Sequence, residues 1–230
     1  MSQLYLDGML IRQGVVDVDG TISDLVSTLE RKMITTAAAC GLPEESVRTN
    51  FALIRAGKNS DAGNAHAGFR RMFPYVTDEK LEELVAYFHH LERTVPYPEV
   101  PGSRATIQWL MGHGISLSLC TAAHHATLSV RLPALGIPLG WFDECRTWEC
   151  IPRKPDPRTL DAIFQKTNIP PHETLYIGDS LTDFHTAQEV HFIAVHEYGL
   201  THPEKFEAVG VPRHRILRRL ADIVNVLEIR

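Results

Sequence analysis

The chain has 230 residues, 44% hydrophobic and 22% charged, a composition that fits a globular protein with one large core and an insert, or two modest domains. A formal charge of −5 supplies no electrostatic footprint for nucleic acid, and no stretch approaches the roughly 18 apolar residues of a membrane span. The amino-terminal segment lacks a basic start followed by a long apolar run, and Cys40, Cys120, Cys145 and Cys150 show no metal-binding spacing, so reduced thiols in a cytoplasmic protein are expected.

In chain order, a strand is expected over Gln13–Val18, and it runs into Asp17-Val18-Asp19-Gly20-Thr21. Burying paired acids is costly unless a cation or hydrogen bonds offset it, so two carboxylates at the end of an apolar run point to a metal-supported reactive site. Gly20 lets the backbone leave the strand sharply. Between Ile22 and Pro98 the period turns helical, with Leu25, Val26, Leu29 and Met33 on one apolar face and Leu81, Leu84, Val85 and Phe88 on another. Asp24 fits the N-cap of the first of these helices. The stretch Ile54–Asn64 breaks the pattern with Gly57, Gly63 and several polar groups, and the proline-rich Val95–Pro101 reads as a defined connection.

A helix follows over Ser103–Met111, ended by Gly112 and Gly114, and then a strand over Ile115–Cys120 that delivers the hydroxyl of Thr121. A weaker strand lies near Phe142–Arg146. Lys154 stands in the loop Ile151–Pro157, whose prolines pre-set a helix over Arg158–Thr167. Thr174–Ile177 is a strand running into Gly178-Asp179-Ser180-Leu181-Thr182-Asp183, where two acids four apart at a strand-to-helix turn can face one point. His191–His196 is a further strand. Arg213, Arg215, Arg218 and Arg219 read as the solvated face around a C-terminal helix. Strands alternating with helices predict an α/β fold, a parallel sheet wrapped on both faces.

Taken together, DVDGT, the strand-terminal Thr121, the Lys154 loop and GDSLTD resemble the four ordered motifs of the haloacid dehalogenase (HAD) superfamily, over Gly14–Thr21 and Pro101–Arg230. The resemblance implies a Rossmann-like core of residues 1–21 and 99–230, with residues 22–98 inserted as a helical cap of the four-helix C1 type. It also implies a Mg²⁺-dependent phosphatase of small phosphorylated metabolites. In that chemistry a carboxylate attacks a negatively charged ester, which requires cations to neutralise the phosphoryl oxygens. By resemblance Asp17 is the nucleophile that becomes an aspartyl phosphate, and Asp19 protonates the leaving group and then activates water. Mg²⁺ would be held by the Asp17 side chain, the Asp19 carbonyl and Asp179, with Asp183 binding directly or through water. Thr121 and amides near Ala122 would grip the phosphoryl group, and Lys154 would balance the charge.

Departures narrow this expectation. Dehalogenases lack a carboxylate at the position of Asp19, so Asp19 points to phosphate esters. Position 122 is Ala where many relatives carry Asn, and position 123 is Ala where phosphoglycolate phosphatases often place Lys, so phosphoglycolate is not carried over as the substrate. A phosphomutase resembling β-phosphoglucomutase is the nearest rival, and a non-catalytic binding protein on the same scaffold is a third reading, opposed by the complete set of acids. In the cap, Arg55, Lys58 and Asn59 are the candidates to contact a substrate tail, and His124 and His125 are candidates to line the entrance. The expected protein is a monomer or homodimer with no nucleic-acid or membrane partner.

Overall fold

Asp7 and Gly8 both adopt positive φ (52° and 81°), the two-residue turn whose twist suits a tight hairpin, and they join β1 (Leu4–Leu6) to β2 (Met9–Ile11). This hairpin is the first feature of a computed structural model that describes residues 3–56, 65–199 and 201–230. The first strand of the main sheet, β3 (Gln13–Val16), comes directly after it and is buried at every position, as a central parallel strand must be.

The chain forms two compact units, Met1–Asp24 with Pro98–Arg230, and Leu25–Tyr97. Considered by itself, the second is helical: α1 (Leu25–Ala39), α2 (Glu44–Arg55), α3 (Ala65–Met72) and α4 (Asp78–Thr94). Thr77 caps α4 by accepting from the Lys80 amide, and Phe51, Phe69, Leu81, Leu84 and Phe88 are among its buried apolar residues. A buried cation lies among them. Lys32 is 1% exposed, its Nζ lies 2.8 Å from Glu92, and it sits 3.8 Å above the Tyr97 ring.

In the first unit the chain continues through α5 (Ser103–Gly112), β4 (Ser116–Cys120), α6 (His125–Ala134), β5 (Glu144–Arg146), α7 (Asp161–Thr167), β6 (Thr174–Gly178), α8 (Leu181–Thr186), β7 (His191–Val195), α9 (Pro203–Ala208), β8 (Ile216–Leu217) and β9 (Glu228–Ile229). Six strands form one parallel sheet in the order β5-β4-β3-β6-β7-β8, while β2-β1-β9 form a small antiparallel sheet. Alternate residues of each strand enter opposite layers, as the two-residue period of a strand requires. Val16, Leu117, Leu119, Ile177, Ile193 and Val195 join the core on one face, and Val15, Cys120, Tyr176, Phe192 and Ala194 join that on the other. Because β3 lies between β4 and β6, the loops after these three strands emerge side by side at the switch point of the sheet.

Two expectations are corrected. The helix over Arg158–Thr167 starts later as an α-helix: Pro157–Leu160 is a 3-10 turn capped by Asp156, and the α-helical part is Asp161–Thr167. Among the described residues no C-terminal α-helix surrounds the arginine cluster. Pro212 opens a 3-10 turn, and Ile216 and Leu217 then pair with Ala194 and Val195 as the sixth strand, which a helix could not do. Nor is the cluster uniformly solvated, because Arg215 is 15% exposed and ion-paired with Asp7 at 2.5 Å.

Leu119 is fully buried in β4. Leu119→Ala is expected to lower unfolding free energy by about 2–5 kcal/mol in urea titrations; a loss below about 1 kcal/mol would place this strand outside the core.

Candidate active site

The apolar strand β3 ends where Asp17 begins, and the Asp17 amide donates to the Ile177 carbonyl of β6 at 2.9 Å, which fixes the Asp17 backbone to the neighbouring strand. The chain then turns tightly. The amides of Thr21, Ile22 and Ser23 all donate to the Val18 carbonyl, and Gly20 has φ 83°, open to glycine at little steric cost. The space beside Gly20 is also restricted, since a Cβ there would lie 2.5 Å from Asp179 Oδ2. Gly199 lies against Asp179 as well, where a Cβ would lie 2.4 Å from the same oxygen.

Lys154 joins the motifs. Its ammonium lies 2.6 Å from Asp17 Oδ1 and 2.5 Å from Asp183 Oδ1, with the lysine side chain 6% exposed. Burial alone would pull the lysine pKa down, but the adjacent Asp17 and Asp183 outweigh it and hold it well above its ordinary value, so Lys154 is charged. Asp183 is fully buried and saturated with donors. Its Oδ1 also faces the Tyr176 hydroxyl at 2.9 Å, and its Oδ2 accepts from the Ser180 amide at 3.0 Å and from the Ser180 hydroxyl at 2.6 Å. Ser180 and Asp183 thereby form the capping box of α8. The Tyr176 hydroxyl, with one proton, also lies 3.1 Å from the Cys120 carbonyl. Gly178 makes the approach possible, since a Cβ there would lie 2.4 Å from Asp183 Cγ.

Asp17, Asp179 and Asp183 bring carboxylate oxygens within 4.8 Å of one another, all three residues buried. Among the described residues one ammonium, that of Lys154, lies against this group of three acids. Asp17 carries the consequence: burial, and then Asp183 and Asp19, raise its pKa to about 7 although Lys154 pulls the other way. A hard divalent cation with oxygen ligands fits this donor set. Burial pushes the Cys120 thiol up to about 12, so it is a neutral packing group.

Thr121 ends β4, buried, with its amide on the Arg146 carbonyl and its Oγ1 accepting from the Ala123 amide at 3.1 Å, which leaves the hydroxyl proton directed elsewhere. Ala122 follows it, exposed. Asp19, partly buried, accepts from the Ser23 hydroxyl at 3.2 Å and from Arg131 Nη1 of α6. His124 lies 2.9 Å from Glu149, which also accepts from the His125 amide. Arg55, in the helical unit, pairs with Glu30 at 2.5 Å, and Lys58 and Asn59 fall outside the described residues. Tyr176, Gly199 and Arg131 join the site without any local sequence signature, whereas Ser180 announces itself as a cap three residues before Asp183.

The fold and site define an α/β enzyme whose buried carboxylates sit at the switch point of a parallel sheet. A sequence model of the haloacid dehalogenase-like hydrolases matches residues 15–191, and the chain belongs to that family. Among curated relatives it is 28% identical over 220 residues to the phosphoglycolate phosphatase of Pseudomonas putida, covering 90% of this chain and 76% of the relative. It is 27% identical to that of Mesorhizobium japonicum, over 87% of this chain and 89% of the relative. In fold it is similar to a protein described as a β-phosphoglucomutase from Thermotoga maritima, with a TM-score of 0.74 at 19% identity over 94% of this chain and 98% of that one. A HAD-superfamily hydrolase of subfamily IA from Geobacter sulfurreducens gives 0.65 at 20% identity, over 94% and 95%.

The raised Asp17 pKa has a sign that can be tested. As pH rises from the ordinary 3.8 to about 7, the unfolded chain releases this proton first, so the cation-free protein loses the Asp17 contribution to stability across that window. Asp17→Asn is expected to flatten that pH dependence and to raise Tm above pH 7 in EDTA. An unchanged slope with a lower Tm would show that the carboxylate is not under electrostatic stress.

Proposed function

We propose that the protein is a Mg²⁺-dependent phosphatase that hydrolyses a small phosphorylated metabolite through a phosphorylated Asp17. The observation that carries this reading is the buried trio of Asp17 and Asp179, at the carboxyl ends of adjacent parallel strands, and Asp183 in the first turn of α8, with the Lys154 ammonium on Asp17 and Asp183. Its relatives named phosphoglycolate phosphatase support the phosphoric monoester class. Asp17 and Asp179, with the Asp19 carbonyl, would hold Mg²⁺ directly, and Asp183 would bind directly or through water, with Tyr176 turning its one proton to the Cys120 carbonyl. When bound, Mg²⁺ supplies charge neutralisation at the phosphoryl oxygens.

The chain's own residues divide the remaining work. Asp17 forms the new oxygen–phosphorus bond as the ester bond breaks, and the electron pair leaves on the alkoxide oxygen. Asp19 gives that oxygen a proton and later takes one from the water that attacks the phosphorylated Asp17. Thr121 donates its hydroxyl to a phosphoryl oxygen, the Ala122 amide would assist, and Lys154 opposes protonation of Asp17 and neutralises charge on the transferring group. Ala122 and Ala123 present no side-chain donors, so selectivity for the rest of the substrate rests on other residues; Arg55, Lys58 and Asn59 are the cap candidates.

The purified protein is expected to hydrolyse p-nitrophenyl phosphate with Mg²⁺, to release inorganic phosphate, and to lose turnover in EDTA. Asp17→Asn should reduce kcat by about 10³-fold or more. Turnover unaffected by thorough chelation, or a near-normal Asn variant, would overturn the assignment. Asp19→Asn should cost about 10²–10⁴-fold in kcat/KM on an alkyl phosphate and much less on p-nitrophenyl phosphate, whose leaving group needs little protonation. At a hundred times its Kd, Mg²⁺ should stabilise the wild-type protein by about 2.7 kcal/mol, roughly 5–10 °C in Tm, and the Asp17→Asn variant by less.

A further inference from the structure

The helix α6 exposes a discrepancy between its pattern and its content. Leu128 and Leu132 are fully buried in the main core, and Arg131, three residues after the first and adjacent to the second, lies toward the same buried stripe with its side chain 12% exposed. A guanidinium so nearly removed from water needs a strong acceptor. Its Nη1 donates to Asp19 Oδ1, a residue 112 positions earlier in the chain. The bland account of an arginine in the last turn of a helix is attraction to the helix carbonyl end, but this side chain runs to the carboxylate of another element.

Asp19 has reason to need such a partner. Its backbone is held by the tight turn after β3, yet its side chain is 25% exposed and otherwise receives a 3.2 Å bond from the Ser23 hydroxyl. A short acid with two free torsions at an open edge samples several rotamers, and misplacement of a proton-transfer group by about 1 Å costs on the order of 10²-fold.

We propose that Arg131 is a positioning residue for Asp19: it fixes the carboxyl group in the orientation from which the proton passes to the leaving oxygen. The inference rests on the phosphatase reading above. Arg131 acts through Asp19 and not on the substrate, so its loss is visible only where Asp19 is needed. Neither the HAD motifs nor the spacing of the sequence points to position 131.

A double-mutant cycle tests this. Arg131→Met, which keeps the aliphatic length without the fork, is compared with Asp19→Asn and with the double variant, using kcat/KM for an alkyl phosphate and for p-nitrophenyl phosphate. Because kcat/KM ends at departure of the leaving group, it isolates the step in which Asp19 donates. Arg131→Met is expected to lose about 10-fold or more on the alkyl ester and under about 3-fold on p-nitrophenyl phosphate, and to add less than about 2-fold to the loss of Asp19→Asn. The near-normal rate on the activated ester reports that the variant is folded. Arg131→Lys, which keeps charge but not the planar fork, should recover only part of the alkyl-ester rate. Equal losses on both esters, multiplicative losses in the double variant, or a KM effect that persists in the Asp19→Asn background would overturn the positioning role while leaving the phosphatase reading intact. Wild-type protein that turns over neither ester with Mg²⁺ would overturn both.

Discussion

Everything at the site depends on one buried ammonium. Lys154 stands between Asp17 and Asp183, 6% exposed, and without it three carboxylates would crowd a volume that holds no neutralising side chain among the described residues. The lysine reduces that repulsion without removing it. Burial first, and then Asp183 and Asp19, still hold the Asp17 pKa up to about 7 at the place where a cation and a phosphoryl group are proposed to sit. Binding free energy can then be spent on relieving this strain, which is how a preorganised site favours charge that arrives with ligand. The surrounding scaffold is rigid for the same reason: Tyr176, Ser180 and the bare backbone of Gly178 and Gly199 fix the acids by contact, so repulsion cannot relax by side-chain rotation.

Much of this was legible in the sequence because the strands that carry the acids are buried on both faces and read as apolar runs. The expected strand over Ile115–Cys120 is Ser116–Cys120, that over Thr174–Ile177 is Thr174–Gly178, and that over His191–His196 is His191–Val195. Each ends within a residue or two of the expected position. Strands of two residues, β8 and β9, carry no periodicity to detect, since a period needs several residues to repeat. The Asp7-Gly8 turn does carry a hairpin signature, but the strands around it are only three residues long. The arginine cluster misleads for a physical reason: charge density suggests a solvated helix, whereas partners brought from afar, Asp7 for Arg215 and Glu197 for Arg218, let the segment run extended.

At the site the division is similar. Residues that lie within a motif are readable because short spacings decide which face they share, as with the Ser180 and Asp183 cap. Residues that reach the site across the fold are not. Arg131 of α6 meets Asp19, and Gly199 meets Asp179, only because the parallel sheet brings the segments after its strands together, and neither pair has a sequence separation that means anything locally. His124, close after Thr121, likewise finds its partner at a distance in sequence, its ring 2.9 Å from Glu149.

The central place of β3 has a consequence for how the chain reaches this state. Its two neighbours in the sheet are β4 and β6, so Val16 must wait for Leu119 and Ile177 before either edge is paired. During synthesis β3 leaves the ribosome before β4 and β6, with the helical segment Leu25–Tyr97 made between it and them. That helical segment is built from local contacts and can form early, while the sheet, dominated by distant pairings, forms slowly. The exposed, apolar β3 is therefore the segment most in need of protection in the nascent chain, and the residue that carries the proposed chemistry sits at the end of it.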